Sequence, residues 1–354
     1  FAPRVTSRGV PLWHEPVRTE LNDGIKKVLA RPIEACALVG GEKSTSETAR
    51  KIMSPHDTRV EVGTVRDASE AQAKSSLRLG AAAQDAWDKQ GGASRAAALE
   101  AAADLYERNT IKLMALLVRE AGKSLDNALA DLREAVDFLR YYAAVARAEF
   151  NEPLVLPGPT GERNEISLHG RGVFVCISPW NFPLAIFTGQ MAAALAAGNS
   201  VIAKPAEQTP LVAFEAVKLL HEAGVPGDVL HLLPGDGARL GKILLGEPAD
   251  SGVAFTGSNE TARIIQRSLA ARSGPILPLI AETGGMNAMI VDSSALPEQA
   301  VGDVVASAFD SAGQRCSAAR IMFVQEDIAG RLLPMLKGAI EELKVGDPYD
   351  YATD

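Results

Sequence analysis

Apolar residues recur at helical spacing through the first half of the chain and in short runs through the second half. Between residues 67 and 150 this spacing predicts four helices, over residues 67–88, 94–107, 111–120 and 124–150. Residues 67–70 are predicted to form a capping box at the start of the first helix. These helices have the pattern of packing elements, so their carboxylates, such as Glu120 and Glu134, are expected to be solvated or paired.

Short apolar runs alternate with helical patterns from residue 172 onward. The runs predict strands over residues 172–177, 200–203, 229–233, 252–255 and 276–281, separated by helices over residues 184–197, 210–223, 238–245 and 259–271. Such alternation predicts a parallel sheet with right-handed crossovers, which is a doubly wound α/β domain. Ligands of these domains bind outside the carboxyl ends of the strands.

Two segments depart from these patterns. Residues 152–170 are rich in proline and glycine, and extended runs at residues 154–156 and 166–168 flank a turn, which predicts a β-hairpin. An open hairpin edge can pair with a second chain, so the hairpin predicts contact between the subunits of a homo-oligomer. Residues 1–55 contain one short helical pattern, around residues 23–29, and are expected to be a linker followed by a covering arm.

Composition narrows the classes of function. The formal charge of −8 is spread over 354 residues without a basic run, which argues against nucleic acid as a partner. No apolar run approaches the ~20 residues of a membrane helix and no signal peptide opens the chain, so a cytoplasmic protein is expected. The three cysteines are irregularly spaced and the five histidines lie far apart, so neither a disulfide framework nor a metal site is expected.

The segment that ends in Cys316 is the first candidate for chemistry. A cysteine is nucleophilic only as its thiolate, which needs a polar, electropositive and partly open setting. Arg315 beside it, Gly313 before it and the hydroxyl groups of Ser311 and Ser317 supply such a setting. The alternative is a buried cysteine that packs as a small apolar residue, which is the commoner fate of a free cysteine.

Two other strand ends indicate a dinucleotide. The usual G-x-G-x-x-G motif is absent after the first strand, but the fourth strand ends at Ser258 where a helix begins, and a helix N-terminus favours phosphate. An ordinary helix cap is the alternative there. The second strand ends in Lys204 and Glu207, which are suited to the hydroxyl groups of an adenosine ribose. Glu207 would repel a 2′-phosphate and so favour NAD over NADP, unless the two residues form a surface ion pair.

Five segments together resemble the aldehyde dehydrogenase superfamily. They are WNFP at 180–183, KPAEQTP at 204–210, FTGS at 255–258, ETGG at 282–285 and GQRC at 313–316. Residues 281–299 and 308–318 most resemble the 1-pyrroline-5-carboxylate dehydrogenase module of bacterial bifunctional proline-utilisation enzymes. In that subgroup the module is joined to a flavin-dependent proline dehydrogenase, which implies a longer parent protein.

The resemblance implies the aldehyde dehydrogenase fold, an α/β fold with a Rossmann-like NAD-binding domain and an oligomerisation hairpin. The expected units are a linker or covering arm (1–55), helical part (56–150), hairpin (151–171), Rossmann-like core (172–281) and the N-terminal part of a catalytic domain (282–354). The chain starts at Phe1 and stops at Asp354 before the family's Glu-x-Phe-Gly-Pro cofactor segment and its Gly/Ser substrate loop. It is therefore expected to be a piece of a longer enzyme.

The same resemblance implies three catalytic roles. Cys316 would attack the aldehyde carbon, because a covalent intermediate splits oxidation and hydrolysis into two easier steps. The side chain of Asn181 and the backbone N–H of Cys316 would stabilise the oxyanion. Glu282 would activate the water that hydrolyses the thioester, and Gly284 and Gly285 would leave it room to move.

The implied binding residues surround these three. Cofactor contacts are expected from Lys204 and Glu207 to the adenosine ribose, from Ser258 and Trp180 to the pyrophosphate, and from Gly257 and Ile177 in the same pocket. Substrate contacts are expected from Ser317 to a carboxylate and from Phe182 to the aliphatic chain, although both positions are equally compatible with packing.

The implied reaction is NAD-dependent oxidation of L-glutamate γ-semialdehyde to glutamate, the second step of proline breakdown. One alternative is a dehydrogenase for another small semialdehyde, such as succinic semialdehyde, and a second is a non-catalytic module that serves folding or assembly. An acyl-CoA-forming enzyme would not need Glu282, so its presence argues against that third class.

Overall fold

The computed structural model describes residues 4–44, 48–246 and 250–354. In these ranges the helices are α1 Glu15–Leu29, α2 Glu70–Asp88, α3 Gly91–Arg108, α4 Thr110–Arg119, α5 Leu125–Glu149, α6 Ala185–Ala196, α7 Pro210–Glu222, α8 Gly237–Leu244, α9 Asn259–Ala270, α10 Pro297–Phe309 and α11 Glu326–Glu341. The strands are β1 Ile33–Cys36, β2 Leu38–Val39, β3 Glu42–Lys43, β4 Ala49–Met53, β5 Glu61–Arg66, β6 Leu154–Leu156, β7 Asn164–Ile166, β8 Val173–Ile177, β9 Ser200–Lys204, β10 Leu230–Leu232, β11 Asp250–Gly257, β12 Leu279–Thr283, β13 Asn287–Val291 and β14 Ala319–Val324.

A seven-stranded sheet forms the centre of the fold, in the order β12-β11-β8-β9-β10-β2-β3. Its five parallel strands, β8 to β12, are those that the apolar runs predict. Chain order reverses between β8 and β11, so the loops after these two strands leave the sheet on opposite sides and open a crevice. This topology confirms the doubly wound α/β prediction, and the crevice is where a ligand is expected.

The N-terminal 66 residues contain more strands than the sequence pattern indicates. The expectation of a linker and covering arm is corrected: β2 and β3 extend the central sheet at its edge, and β1, β5 and β4 form a separate three-stranded sheet. These strands have two to six residues, too few for a clear alternation of apolar and polar positions. The first helix also begins earlier than predicted, at Glu15, with Pro16 in its first turn.

The helical layer agrees with its predicted elements except at their ends. Helix α2 begins at Glu70 rather than at residue 67, and its capping box joins Ser69 and Gln72. The fifth parallel strand lies at Leu279–Thr283, three residues later than predicted at its start. Glu134 is exposed, as expected, whereas Glu120 is buried and bonded to backbone.

The predicted hairpin is formed by β6 and β7, with Leu154 opposite Ile166. Its second strand lies two residues earlier than the apolar run suggests. Both strands are exposed, including the apolar side chains of Leu154, Val155 and Ile166. The pairing of this hairpin with another subunit stays a prediction.

Residues after β12 form a smaller second layer. Strands β13 and β14 pair in parallel, and α10 and α11 pack on them around Val291, Val301 and Leu332. The segment after α11 returns to the helical layer. There the Tyr349 hydroxyl donates to the carbonyl of Asn22 (2.6 Å), and Arg119 donates to Asp347 (3.3 Å).

No helix in the described part of the chain is both long and apolar enough to cross a membrane.

Two buried carboxylates of the helical layer cap helices of the parallel-sheet domain. Asp131 of α5 accepts the N–H of Ala185 at the start of α6 (2.7 Å). Glu120, directly after α4, accepts the N–H groups of Leu211 and Val212 at the start of α7 (2.6 and 2.9 Å). A helix N-terminus has free N–H groups and positive dipole charge, so a carboxylate satisfies both.

We expect Glu120→Gln to lower the free energy of unfolding by about 1–3 kcal/mol, because the amide can accept only one of the two N–H groups and the other is left buried without a partner. Urea denaturation of the purified chain measures this change. Glu149→Gln, on an exposed carboxylate at the end of α5, is the control and should change stability by less than about 0.5 kcal/mol. Equal effects of the two substitutions would contradict the capping role.

Asp131 should make stability depend on pH. Burial raises the pKa of Asp131 from 3.8 to about 6, against the opposing effects of Lys123 and of the Ala185 N–H. The folded chain thus binds this proton more tightly than the unfolded chain, so the contribution is complete below about pH 4 and is lost as pH rises through about 6.

Asp131→Asn removes that titration. Between pH 4 and pH 6.5 the wild-type free energy of unfolding should fall relative to the variant by up to about 3 kcal/mol, measured by urea denaturation at several pH values. Asp126→Asn, on an exposed residue of the same helix, should give a curve parallel to wild type. If the stability curve of Asp131→Asn also ran parallel to that of the wild type, the Asp131 carboxyl group would not titrate between pH 4 and pH 6.5.

Candidate active site

A cavity of about 1110 Å³ opens at the carboxyl ends of β8, β9 and β11, at the reversal of strand order. Most of the residues that the sequence singled out line it: Ile177, Trp180, Asn181, Lys204, Glu207, Gly257, Ser258 and Cys316. Glu282, Ser317 and Phe182 are not among its lining residues. The cavity therefore brings the thiol and the predicted cofactor residues together and leaves three predicted residues at its margin.

The thiol of Cys316 is exposed, whereas Cys36 and Cys176 are buried. This excludes the alternative in which Cys316 packs as an apolar residue. The buried pair has the opposite character, since burial raises the pKa of Cys36 and raises that of Cys176 to about 12. Of the three thiols, only Cys316 has the open setting that a nucleophile needs.

A tight turn carries Cys316 to the cavity. Ser311, Ala312 and Gly313 have φ values of 58°, 54° and 67°, in the left-handed region that costs a residue with a side chain about 1–2 kcal/mol. Asp310 bonds on either side of this turn, to the N–H of Ser311 (2.9 Å) and to Arg315 (2.8 Å). Such strain persists only where surrounding contacts hold the backbone in place.

The Asn181 side chain reaches the thiol-bearing loop. Its Nδ2 donates to the carbonyl of Gln314 (2.8 Å), two residues before Cys316. This bond joins the loop after β8 to the loop before β14, and so crosses from one layer of the fold to the other. A side-chain amide carries two N–H donors, and within the described part of the chain no acceptor for the second one is found.

Two residues that the sequence reasoning did not single out also hold the loop. Arg320 donates to the carbonyl groups of Gly313 (2.6 Å) and Arg315 (3.4 Å). Asn287 donates to the carbonyl groups of Cys316 (2.6 Å) and Ala318 (3.1 Å). Their only sequence signal is position, at the start of β13 and in β14 just after the cysteine.

Phe182 belongs to packing in this structure. It lies against the main hydrophobic core, and the ammonium group of Lys123 lies 4.1 Å from its ring centroid. Lys123 in turn lies 3.4 Å from Asp131, the residue that caps α6. The segment that carries Asn181 is therefore held at two residues that follow it, Phe182 and Ala185.

Lys204 and Glu207 lie at the far end of the cavity. Lys204 is 5% exposed, and burial lowers the pKa of its amine. The two side chains are 4.0 Å apart, and Glu207 accepts the N–H of Gly237 at the start of α8 (2.7 Å). The ion pair that the sequence allowed is therefore present, with a buried lysine and an exposed glutamate that also caps a helix.

Ser258 is the N-cap of α9, and its Oγ accepts the N–H of Thr261 (3.1 Å). The ordinary cap that the sequence allowed is therefore present. The helix start also faces the cavity, so the cap and a phosphate site are compatible: the first N–H groups of α9 have no partner inside the helix.

Glu282 lies in β12, opposite Thr256 of β11. Its side chain is exposed and does not line the cavity, whereas the next two residues, Thr283 and Gly284, do. Around Gly284 there is open space within 4 Å of where a side chain would begin. Glu282 thus lies just outside the cavity, one residue before Thr283, which lines it, and two residues before the pair Gly284 and Gly285. Among the described residues, no group of His, Cys, Asp and Glu side chains is placed to hold a metal ion.

Comparison with known proteins places this geometry in a family. Residues 42–354 match the model of the aldehyde dehydrogenase family. The chain is 50% identical over 337 residues to the bifunctional protein PutA of Klebsiella aerogenes, covering 94% of this chain and 24% of that protein. It is 36% identical over 355 residues to 1-pyrroline-5-carboxylate dehydrogenase of a Geobacillus species, covering 97% and 69%.

A solved structure, 1-pyrroline-5-carboxylate dehydrogenase from Thermus with bound NAD, superposes with a TM-score of 0.93 at 33% identity, covering 98% of this chain and 68% of that one. The chain spans about a quarter of the PutA protein and about two thirds of the single-function dehydrogenases. Sequence and fold agree over nearly all of the chain: it belongs to the aldehyde dehydrogenase family.

Proposed function

We propose that this chain is the cofactor-binding and thiol-bearing part of an NAD-dependent enzyme that oxidises L-glutamate γ-semialdehyde to glutamate, in the breakdown of proline. The observation that carries the proposal is the single cavity that holds the exposed thiol of Cys316, the amide of Asn181 and the Lys204–Glu207 pair. The names of its relatives support the substrate, since they include PutA and 1-pyrroline-5-carboxylate dehydrogenase.

The first step is addition of the Cys316 thiolate to the aldehyde carbon. A sulfur–carbon bond forms, and the π electrons of the C=O bond move to oxygen, which becomes an oxyanion. The free N–H of the Asn181 amide and the backbone N–H of Cys316 donate to this oxygen. Donors that are already fixed in place stabilise developing charge without reorganisation, and one such donor is typically worth about 10²–10³ in rate.

The residues of the cavity fit NAD. A volume of about 1110 Å³ is at the upper end of what ligand sites offer, as a dinucleotide requires. Lys204 and Glu207 present a buried cation and a carboxylate that suit ribose hydroxyl groups, and the start of α9 at Ser258 suits the pyrophosphate. Gly237 leaves space beside the pair, since a Cβ there would lie 3.3 Å from Glu207. Bound NAD would supply the acceptor for the hydride that leaves the Cys316 adduct.

Glu282 completes the reaction as a general base. It takes a proton from the water that attacks the thioester carbon, and the carbon–sulfur bond then breaks to return the Cys316 thiolate. Its exposed position beside Gly284 supports a side chain that moves into the cavity for this step. Ser317, exposed directly after the thiol, is the proposed contact for the substrate carboxylate, and Arg315 adds a positive charge to the cavity wall.

The proposed setting follows the relatives. In the protein that carries this chain, the β6–β7 hairpin would join subunits of a homo-oligomer, and a flavin-dependent proline dehydrogenase module would supply the substrate. The low cysteine content and the absence of a membrane-spanning helix among the described residues support the cytoplasm as the site of action.

Glu282→Gln and Cys316→Ser should separate the two halves of the reaction in the purified protein that carries this chain. Cys316→Ser should lower kcat at least about 10³-fold, with no covalent adduct by mass spectrometry. Glu282→Gln should keep a single-turnover burst of NADH but lower the steady-state rate about 10²–10⁴-fold, because the thioester on Cys316 accumulates.

The substrate is tested by measuring kcat/KM of the wild type for L-glutamate γ-semialdehyde and for succinic semialdehyde. A higher kcat/KM for succinic semialdehyde would overturn the proposed substrate while leaving the mechanism. Full activity of Cys316→Ser would overturn the mechanism itself and would favour a non-catalytic module.

Glu207→Gln should relax the preference for NAD. The substitution keeps an oxygen for the Gly237 N–H but removes the charge that repels a 2′-phosphate, while Lys204 remains to attract one. The ratio of kcat/KM for NAD to that for NADP should fall about tenfold, or about 1.4 kcal/mol. Glu222→Gln, an exposed substitution at the end of α7, should leave the ratio unchanged. A constant ratio in both variants would show that Glu207 does not discriminate.

A further inference from the structure

Four successive backbone carbonyl groups, those of residues 313–316, accept hydrogen bonds from side chains. The donors are Arg320 for residues 313 and 315, Asn181 for residue 314 and Asn287 for residue 316. Carbonyl groups of an exposed loop are usually left to water, so such a series is a specific arrangement. It determines the direction of every peptide group on the approach to the thiol.

We propose that Asn287 and Arg320 are positioning residues, which orient the two peptide groups that flank Cys316 and so direct its N–H at the oxygen of the substrate. The proposal rests on the function proposed above and adds two residues to it. Asn287 does not line the cavity. Arg320 does, but its Nη2 is bonded to loop carbonyl groups, so each residue acts through the backbone of residues 313–318.

The peptide group before Cys316 determines where the Cys316 N–H points. In a trans peptide the C=O and the N–H point in opposite directions. The Arg315 carbonyl accepts from Arg320 (3.4 Å) and from the N–H of Ala318 (3.2 Å), so the Cys316 N–H in the same plane points away from both. In the described ranges no hydrogen-bond partner of this N–H is found. A fixed donor without an internal partner is what an oxyanion site requires.

The peptide group after Cys316 is held from the other direction. Asn287 uses its amide nitrogen for two bonds, to the carbonyl groups of Cys316 (2.6 Å) and Ala318 (3.1 Å). The first of these is the shorter, and it determines how the Cys316 residue rotates between its two peptide planes. The Sγ atom and the backbone N–H of Cys316 are thereby held in a fixed orientation relative to each other.

Both donors stand on a sheet. Asn287 is the first residue of β13 and pairs with Ala319, and Arg320, the second residue of β14, lies at the bulge between the first two of the five register positions. Strands hold side chains more accurately than loops do. The turn that they support contains the left-handed residues Ser311 and Ala312, which would relax to other conformations without such contacts.

Two reactions of the same thiol test the proposal. Addition to an aldehyde develops an oxyanion that needs the Cys316 N–H, whereas alkylation by iodoacetamide forms a sulfur–carbon bond with loss of iodide and develops no oxyanion. Of the three thiols of this chain Cys316 alone is exposed, and mass spectrometry of the peptide that contains it follows its alkylation apart from that of any other thiol. A residue that orients the N–H should affect the first reaction far more than the second.

The variants are Asn287→Leu, which removes both bonds of Nδ2 at similar size, and Arg320→Lys, which keeps the charge but loses the guanidinium nitrogen, Nη2, that makes both bonds. Arg331→Lys is the matched control, since Arg331 makes one exposed ion pair with Glu298 on the same domain. In the protein that carries this chain we expect each variant to lower kcat for aldehyde oxidation about 10–100-fold, with KM and the alkylation rate within about threefold of wild type. The control should match wild type in all three.

Unchanged kcat in both variants would overturn the proposal. A parallel loss of kcat and alkylation rate would also overturn it, because that result would show that the two residues only keep the loop folded. A lower melting temperature of the variant would identify the same outcome. A wild type that alkylates but oxidises no aldehyde would overturn the proposed function, and this inference with it. An active wild type with active variants would overturn this inference alone.

Discussion

The hydrogen bond from the Asn181 amide to the Gln314 carbonyl joins the two halves of the site. On one side of it lie the parallel sheet and the cavity proposed for a dinucleotide, and on the other lies the turn that carries the thiol. The Asn181 segment is itself held by Asp131 at the start of α6 and by Lys123 against Phe182. The geometry of the site therefore depends on the buried pair Asp131 and Lys123, in a helical layer that does not line the cavity.

Much of the fold is predictable from the chain because it follows local rules. Five apolar runs separated by helical patterns indicate a parallel sheet, and the carboxyl ends of such strands converge whatever lies between them. This is why Lys204, Glu207 and Ser258, each at a strand end, meet in one cavity with Ile177. Short strands such as β2 and β3 cannot be predicted in this way, because two residues are too few to show an alternation of apolar and polar positions.

The sequence could predict the candidate site only where the reactive group is a side chain whose type itself indicates the chemistry. Cys316 stands out because a thiol is rare and its neighbours are small and polar, whereas Asn287 and Arg320 act on backbone carbonyl groups that carry no sequence signal. Glu120 and Asp131 illustrate the same limit. Each is one acidic residue among many on a helix, and only the tertiary fold reveals that it meets the N-terminus of another helix.

The bond between Tyr349 and Asn22 limits how the smaller second layer can move. It lies on the helical layer, away from the thiol, and with Arg119 and Asp347 it fastens the segment after α11 to α1 and α4. The smaller second layer is thus joined to the parallel-sheet domain at Asn181 and to the helical layer at Tyr349 and Asp347. Rotation of the smaller second layer about the Asn181–Gln314 bond would therefore have to break the bonds that Tyr349 and Arg119 make on the helical layer.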